Sequence, residues 1–203
     1  MTSVILSGYD SPMAKIGDLT RSELERYGEL VRVPVFVMRD DNYRKDSHPS
    51  WQKILFVLEY LSRYDVVYWF DADTVITRPD ADLPVAPQDV HGLVCSEDWG
   101  QGDQDQPSLG NFACGQASPP LWVAAMRKTQ WKNSHLWEQS AIREVRPEYP
   151  DLVTIVPGFG TVPTDIQNGS RFPWTKDSFL AHLTGVDNER RVEWFKQWKA
   201  GAK

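Results

Sequence analysis

Two carboxylates separated by one alanine, Asp71 and Asp73, close the run Val66-Val67-Tyr68-Trp69-Phe70. The run is apolar, β-branched and aromatic, which predicts a strand buried on both faces. Packing gives such a strand no reason for an acidic end. In an extended chain residues i and i+2 point to the same side, so the two carboxylates can converge on one hard cation through oxygen. The carboxyl end of a buried strand is also where open α/β sheets bind ligands. The plain alternative is a turn before Arg78-Pro79, where Asp is favoured for its own hydrogen bonding.

Other reactive groups stand far from this pair in the chain. Glu138 and Gln139 fall in the first turn of a helix predicted over residues 134–145, where Trp137, Ala141 and Val145 recur at i, i+4 and i+8. The helix dipole favours a carboxylate there with no chemistry involved. His182 interrupts the strand-like run from Phe179 to Gly185 and also reads as a core imidazole bonded to a carbonyl. Lys53 lies in the first turn of a helix opened by His48-Pro49, against the usual dipole preference. It is placed either to meet an anionic ligand or to be solvated. Ser7-Gly8-Tyr9-Asp10 ends a first strand at a glycine, where a nucleotide or a plain turn fits equally.

The elements that must position these groups alternate. Val4-Ile5-Leu6 predicts a strand, and Thr20 with Glu23 at capping-box spacing, stapled by Leu19 and Leu24, predicts a helix start. Residues 33–38 give a second strand, 48–61 a second helix and 66–70 a third strand. That β-α-β-α-β order is the pattern of a doubly wound sheet. Strands at 91–96, 110–116 and 152–157 and helices at 118–129 and 189–199 follow, with a glycine-rich loop at 97–107 that is too polar to pack. An isolated Trp99 in that loop suggests closure over a ligand.

At 203 residues the chain predicts one full-sized domain. Its 41% hydrophobic and 25% charged residues argue against disorder. A net charge of −6 gives no general attraction for a phosphate backbone or an anionic membrane, so no nucleic-acid partner is expected. An anionic ligand would need a local solution, and a divalent cation held by carboxylates is one. No stretch approaches the roughly 20 apolar residues of a membrane span, and the first residues lack the basic start of a signal peptide. Cys95 and Cys114 lack metal-binding spacing and read as buried thiols, which fits a reducing, cytoplasmic compartment. Most of the 9 tryptophans are expected in the core, and any others offer platforms for a sugar ring.

Four short motifs in fixed order carry a resemblance. Trp51-Gln52-Lys53, Trp69-Phe70-Asp71-Ala72-Asp73, Trp137-Glu138-Gln139-Ser140-Ala141 and His182-Leu183-Thr184-Gly185 resemble the GT-A glycosyltransferases, most of all the retaining α-galactosyl-, α-mannosyl- and xylosyltransferases of fungi and plants. The resemblance spans most of residues 1–187. It implies a single α/β domain of Rossmann-like GT-A fold, an open mixed sheet, mostly parallel and flanked by helices. A nucleotide-binding half would cover about residues 1–96 and an acceptor half about 97–203. It also implies metal-dependent transfer of a sugar from a nucleotide-diphosphate donor, UDP by family habit, to a glycan acceptor with retention.

By the same resemblance Asp71 would contact the ribose or, through water, the metal. Asp73 would ligate Mn²⁺ or Mg²⁺ directly, with His182 as third ligand. An imidazole beside two carboxylates suits Mn²⁺ better. Ser7, Gly8 and Tyr9 would line the base and ribose, with Lys53 and Ala72 also on the nucleotide side. Gly185 would let the backbone approach the diphosphate, and Glu138 and Gln139 would face the anomeric carbon.

The chain departs from the family pattern in lacking a membrane anchor. It also has Val186-Asp187-Asn188-Glu189-Arg190-Arg191 where a phosphate-binding lysine is expected, with Arg190, or Arg191 beside it, as the substitute. These departures point to a viral or microbial enzyme of the cytoplasm, or a domain of a longer one, resembling the capsid-glycan glycosyltransferases of large algal viruses.

Two other readings stay open. Phe70-Asp71-Ala72-Asp73-Thr74 also fits the nucleophile motif of haloacid-dehalogenase-type phosphatases, with Asp71 attacking phosphorus and Asp73 as acid/base. That family places the motif on its first strand. A non-catalytic sugar-binding module would use the tryptophans and need neither metal nor nucleotide.

Overall fold

A computed structural model describes residues 1–43, 45–98, 105–157 and 159–201. β1 (Ser3–Gly8), α1 (Ala14–Val31), β2 (Val35–Met38), α2 (Pro49–Leu61) and β3 (Val66–Phe70) follow in the predicted alternation. They are succeeded by β4 (Thr74–Ile76), β5 (Leu93–Glu97), β6 (Pro107–Gly115), α3 (Pro119–Met126), α4 (Trp137–Val145), β7 (Val153–Val156), β8 (Leu180–His182) and α5 (Asn188–Lys199). Six strands form one sheet in the order β2-β1-β3-β6-β5-β7, and β4 pairs with β8 in a separate ribbon. In the large sheet β6 alone runs against its neighbours, so the sheet is mixed and mostly parallel. This is the open α/β arrangement expected.

Strand parity decides which helix each β3 side chain meets. Val67 and Trp69 pack with Trp51, Ile54 and Val57 of α2 and with Ala141 and Ile142 of α4. Val66, Tyr68 and Phe70 face the other way, onto Leu24 and Tyr27 of α1. Asp71 shares the parity of Trp69, which carries it to the α2 and α4 side. A third cluster, with Ile16, Val75, Ala181, Leu183, Trp194 and Phe195, clamps the β4–β8 ribbon between α1 and α5. Cys95 and Cys114 are free and buried, and burial pushes the Cys95 thiol up to about 12.

Several expected boundaries move. Thr20 does not cap a helix, because α1 is already under way from Ala14 after a turn at Ser11–Met13. Its hydroxyl serves a tertiary bond instead, donating to Ala72 O at 2.6 Å. The 97–107 loop is narrower than its polarity suggests. Glu97 ends β5, Pro107 begins β6, and Glu97 and Asp98 are buried against Arg171 and Arg143. Trp99, on which closure was expected, lies outside the described residues. α4 starts only at Trp137, after Leu136 and Trp137 take left-handed φ of 60° and 36° that seat the indole on His48, ring centroids 3.8 Å apart. Among the described residues no helix is long and apolar enough to cross a membrane.

Candidate active site

The strand ends and helix starts open onto a cleft of about 670 Å³, a size suited to a small polar ligand. Two charged clusters line it. The first begins at Asp71. Its N–H donates to Gly110 O of β6 at 2.8 Å, and its Oδ1 accepts from the Trp69 indole at 2.6 Å. The same Oδ1 meets Nζ of Lys53 at 2.9 Å. That ammonium also bonds Glu138 Oε1 at 2.8 Å and Leu109 O at 2.7 Å, so its three protons are all engaged. The Lys53 and Glu138 side chains are only 4% and 5% exposed. Lys53 is therefore not solvated; it lines the cleft and ties α2 to β3, β6 and α4. Burial alone would lower its pKa, but the charges of Asp71 and Glu138 outweigh that and raise it.

Glu138 keeps one buried oxygen, Oε2, that has no hydrogen-bond partner among the described residues. Burial pushes its carboxyl up to about 7, against the pull of Lys53 and helped by the nearby Asp71 charge. Gln139 is fixed at both ends: Oε1 accepts from Leu109 N at 2.9 Å, and Nε2 donates to Asp98 Oδ2 at 3.0 Å. Arg143 holds Asp98 in turn.

The second cluster forms around Asp73. Thr74 N donates to Asp71 O at 2.9 Å, so Asp71 and Asp73 are joined by a tight turn and not by extended chain. The expected convergence occurs, by a different route. β8 pairs with β4 so that His182 stands opposite Thr74, beside Asp73. His182 Nε2 lies 3.2 Å from Asp73 Oδ1, and the Arg191 guanidinium lies 3.2 Å from Oδ2. Burial would raise Asp73, but the His182 charge and hydrogen bond, followed by Arg191, hold it below the ordinary carboxylate range. The imidazole loses basicity by burial and regains more from Asp73, so its pKa is raised. One ligand atom from each of Asp71, Asp73 and His182 can be chosen so that all lie within 4.8 Å of one another, a hard oxygen and imidazole set that fits a divalent cation.

The remaining expected residues are distributed unevenly. Gly8, Tyr9, Ala72 and Gly185 line the cleft. Gly185 has a φ of 78°, which a glycine adopts without penalty. Ser7 is buried within β1 and does not line the cleft. Gly8 is already approached by Tyr43, whose hydroxyl would stand 2.3 Å from a Cβ there. Tyr9 is 3% exposed, covered by Arg39 at 4.3 Å from its ring centroid, and its hydroxyl donates to Asp18 at 2.7 Å.

Arg190 points away from the cleft and donates to Asp165 O. Arg191 is the arginine that lines it, held by Leu183 O at 2.8 Å and Asn188 Oδ1 at 2.9 Å. Helix phase could have chosen between them, since Arg191 stands three and four residues before the buried Trp194 and Phe195.

Three solved structures share this architecture. A glycosyltransferase involved in glycosylation of the major capsid of PBCV-1 aligns over 97% of this chain and 100% of its own, with a TM-score of 0.79 at 13% identity. The fold is a glycosyltransferase fold. The galactosyltransferase LgtC, solved with donor and acceptor sugar analogues, covers 98% of this chain and 96% of its own, with a TM-score of 0.63 at 12% identity. The bifunctional glycosyltransferase WbbM matches 98% of this chain with 51% of its own, with a TM-score of 0.59 at 13% identity. No family model and no curated protein matches the sequence. At such identities the glycosyltransferase fold is what is shared. Asp71 follows the third strand and not the first, where the phosphatase alternative would place its motif.

Proposed function

We propose that the chain is a metal-dependent glycosyltransferase that moves a sugar from a nucleotide-diphosphate donor, UDP in first place, to a glycan acceptor with retention. The observation that carries this reading is the Asp71, Asp73 and His182 group in the cleft of a glycosyltransferase fold. Asp71, Asp73 and His182 would hold a divalent cation, which would supply positive charge to offset that of a leaving diphosphate. Arg191 takes the place of the missing lysine and donates to the phosphate oxygens, because Lys53 has no proton left to offer. Glu138, which lines the cleft, would stabilise the positive charge that develops on the sugar, and the Lys53 ammonium keeps Oε1 in place. Gln139 orients the sugar as a fixed wall.

The test is a panel of nucleotide sugars assayed for hydrolysis with Mn²⁺, with Mg²⁺ and with chelator. Release of nucleoside diphosphate that chelator abolishes supports the reading. Turnover of a generic phosphate ester with Mg²⁺, and of no nucleotide sugar, contradicts it. Binding of free glycans that ignores both metal and nucleotide would instead favour a non-catalytic module.

A further inference from the structure

Gly110 sits inside a nine-residue strand, β6, that is buried from end to end. A glycine there is costly, because it loses the most chain entropy and fills no space. Its backbone does not demand the choice: among the described residues the glycines with left-handed φ are Gly169, Gly185 and Gly201. The reason lies where a side chain would be. A Cβ at position 110 would fall 2.3 Å from Cε1 of His182, 2.9 Å from Nε2 and 3.0 Å from Nδ1. The imidazole occupies the space that any other residue would fill.

We propose that Gly110 is a positioning residue, whose missing side chain sets the depth of His182 and so where Nε2 meets Asp73. The ring has little freedom to retreat. Its backbone N–H donates to Thr161 O at 2.8 Å, and its strand is locked opposite Thr74. Gly110 also accepts the Asp71 N–H. One residue of β6 thus governs two of the three candidate ligands, while its neighbour Leu109 holds Lys53 and Gln139 through its own backbone. The contact stands on geometry alone; its consequence for metal rests on the proposed glycosyltransferase reading.

A double-mutant cycle separates the two. Gly110→Ala, His182→Ala and the double variant are compared by thermal melting and by Mn²⁺ titration followed by electron paramagnetic resonance. Gly110→Ala is expected to weaken Mn²⁺ binding by about tenfold or more when His182 is present, the scale of losses seen when ligand orientation is disturbed. It is expected to change binding by less than about twofold once the ring is gone. Its melting penalty should likewise shrink in the His182→Ala background. Should Gly110→Ala alone fail to fold, a cooperative melt restored in the double variant supports the contact, and no restoration overturns it. Equal effects in both backgrounds, or none in either, also overturn it. A wild-type chain that binds no Mn²⁺ would count against the glycosyltransferase reading, and the melting cycle would still decide the Gly110 contact.

Discussion

The two carboxylates of the Asp71-Ala72-Asp73 turn live in opposite kinds of surroundings. Around Asp71 the contacts are short and complete: 2.9, 2.8 and 2.7 Å from one ammonium to two carboxylates and a carbonyl. Around Asp73 the two charged contacts are both 3.2 Å, and one of them comes from an arginine that lines the cleft. A buried ammonium with every proton placed has no reason to move, and its partners would be left as bare charges if it did. A guanidinium at longer reach, with donors to share, can pass to an incoming anion at smaller cost. In the proposed reaction the first would stay fixed and the second would exchange partners.

The largest effect is expected from breaking the fixed part. Lys53→Met leaves Glu138 buried and Asp71 half-buried without their shared cation and should destabilise the fold by about 3–5 kcal/mol in denaturant titration. A loss below about 1 kcal/mol would place Lys53 among surface ion pairs and erase the contrast. The exchangeable part should respond differently. Arg191→Met is expected to weaken UDP binding in the presence of Mn²⁺ by about tenfold to a hundredfold, the worth of a charge-assisted contact. Calorimetry should find Mn²⁺ alone bound no more weakly, because Asp73 is relieved of a competitor.

Glu138 sharpens the comparison through pH. Its carboxyl is held at about 7, above the ordinary 4.5. Between those values the unfolded chain gives up a proton that the folded chain keeps, so stability falls as pH rises through the window. Wild type should lose on the order of 2 kcal/mol between about pH 5 and about pH 7.5 that Glu138→Gln does not lose. The raised pKa of His182 adds a further decline above its unfolded value, common to both proteins, which their difference removes. The smallest effect should come from Thr20→Val, about 1 kcal/mol, since it deletes one neutral hydrogen bond to Ala72 O. A much larger loss would mean that α1 holds the turn between the clusters more firmly than one bond can.

What could be read in the sequence follows the same division. A buried strand ending in acids, and the alternation that feeds it, need only periodicity, so β1 to β3 and the location of Asp71 were legible. The route by which Asp73 and His182 meet was not. It depends on a tight turn and on pairing between two three-residue strands, too short to announce themselves by pattern. Lys53 misled because a helix start is ordinarily solvated, and here β3, β6 and α4, distant in sequence, close over it. Gly8 and Tyr9 line the cleft, yet Tyr43 and Arg39, distant in sequence, already occupy their faces. Gly110 read as part of a short strand, because an empty volume leaves no signal until the group that fills it is known.

The proposed function requires that Asp71, Asp73 and His182 hold one divalent cation for a nucleotide diphosphate. Calorimetric titration of Mn²⁺ into protein with UDP, compared among wild type, Asp73→Ala and His182→Ala, tests it most directly. One Mn²⁺ site that UDP tightens in wild type, absent in Asp73→Ala and weakened in His182→Ala, is the predicted result. Mn²⁺ and UDP binding that survive Asp73→Ala unchanged would contradict it.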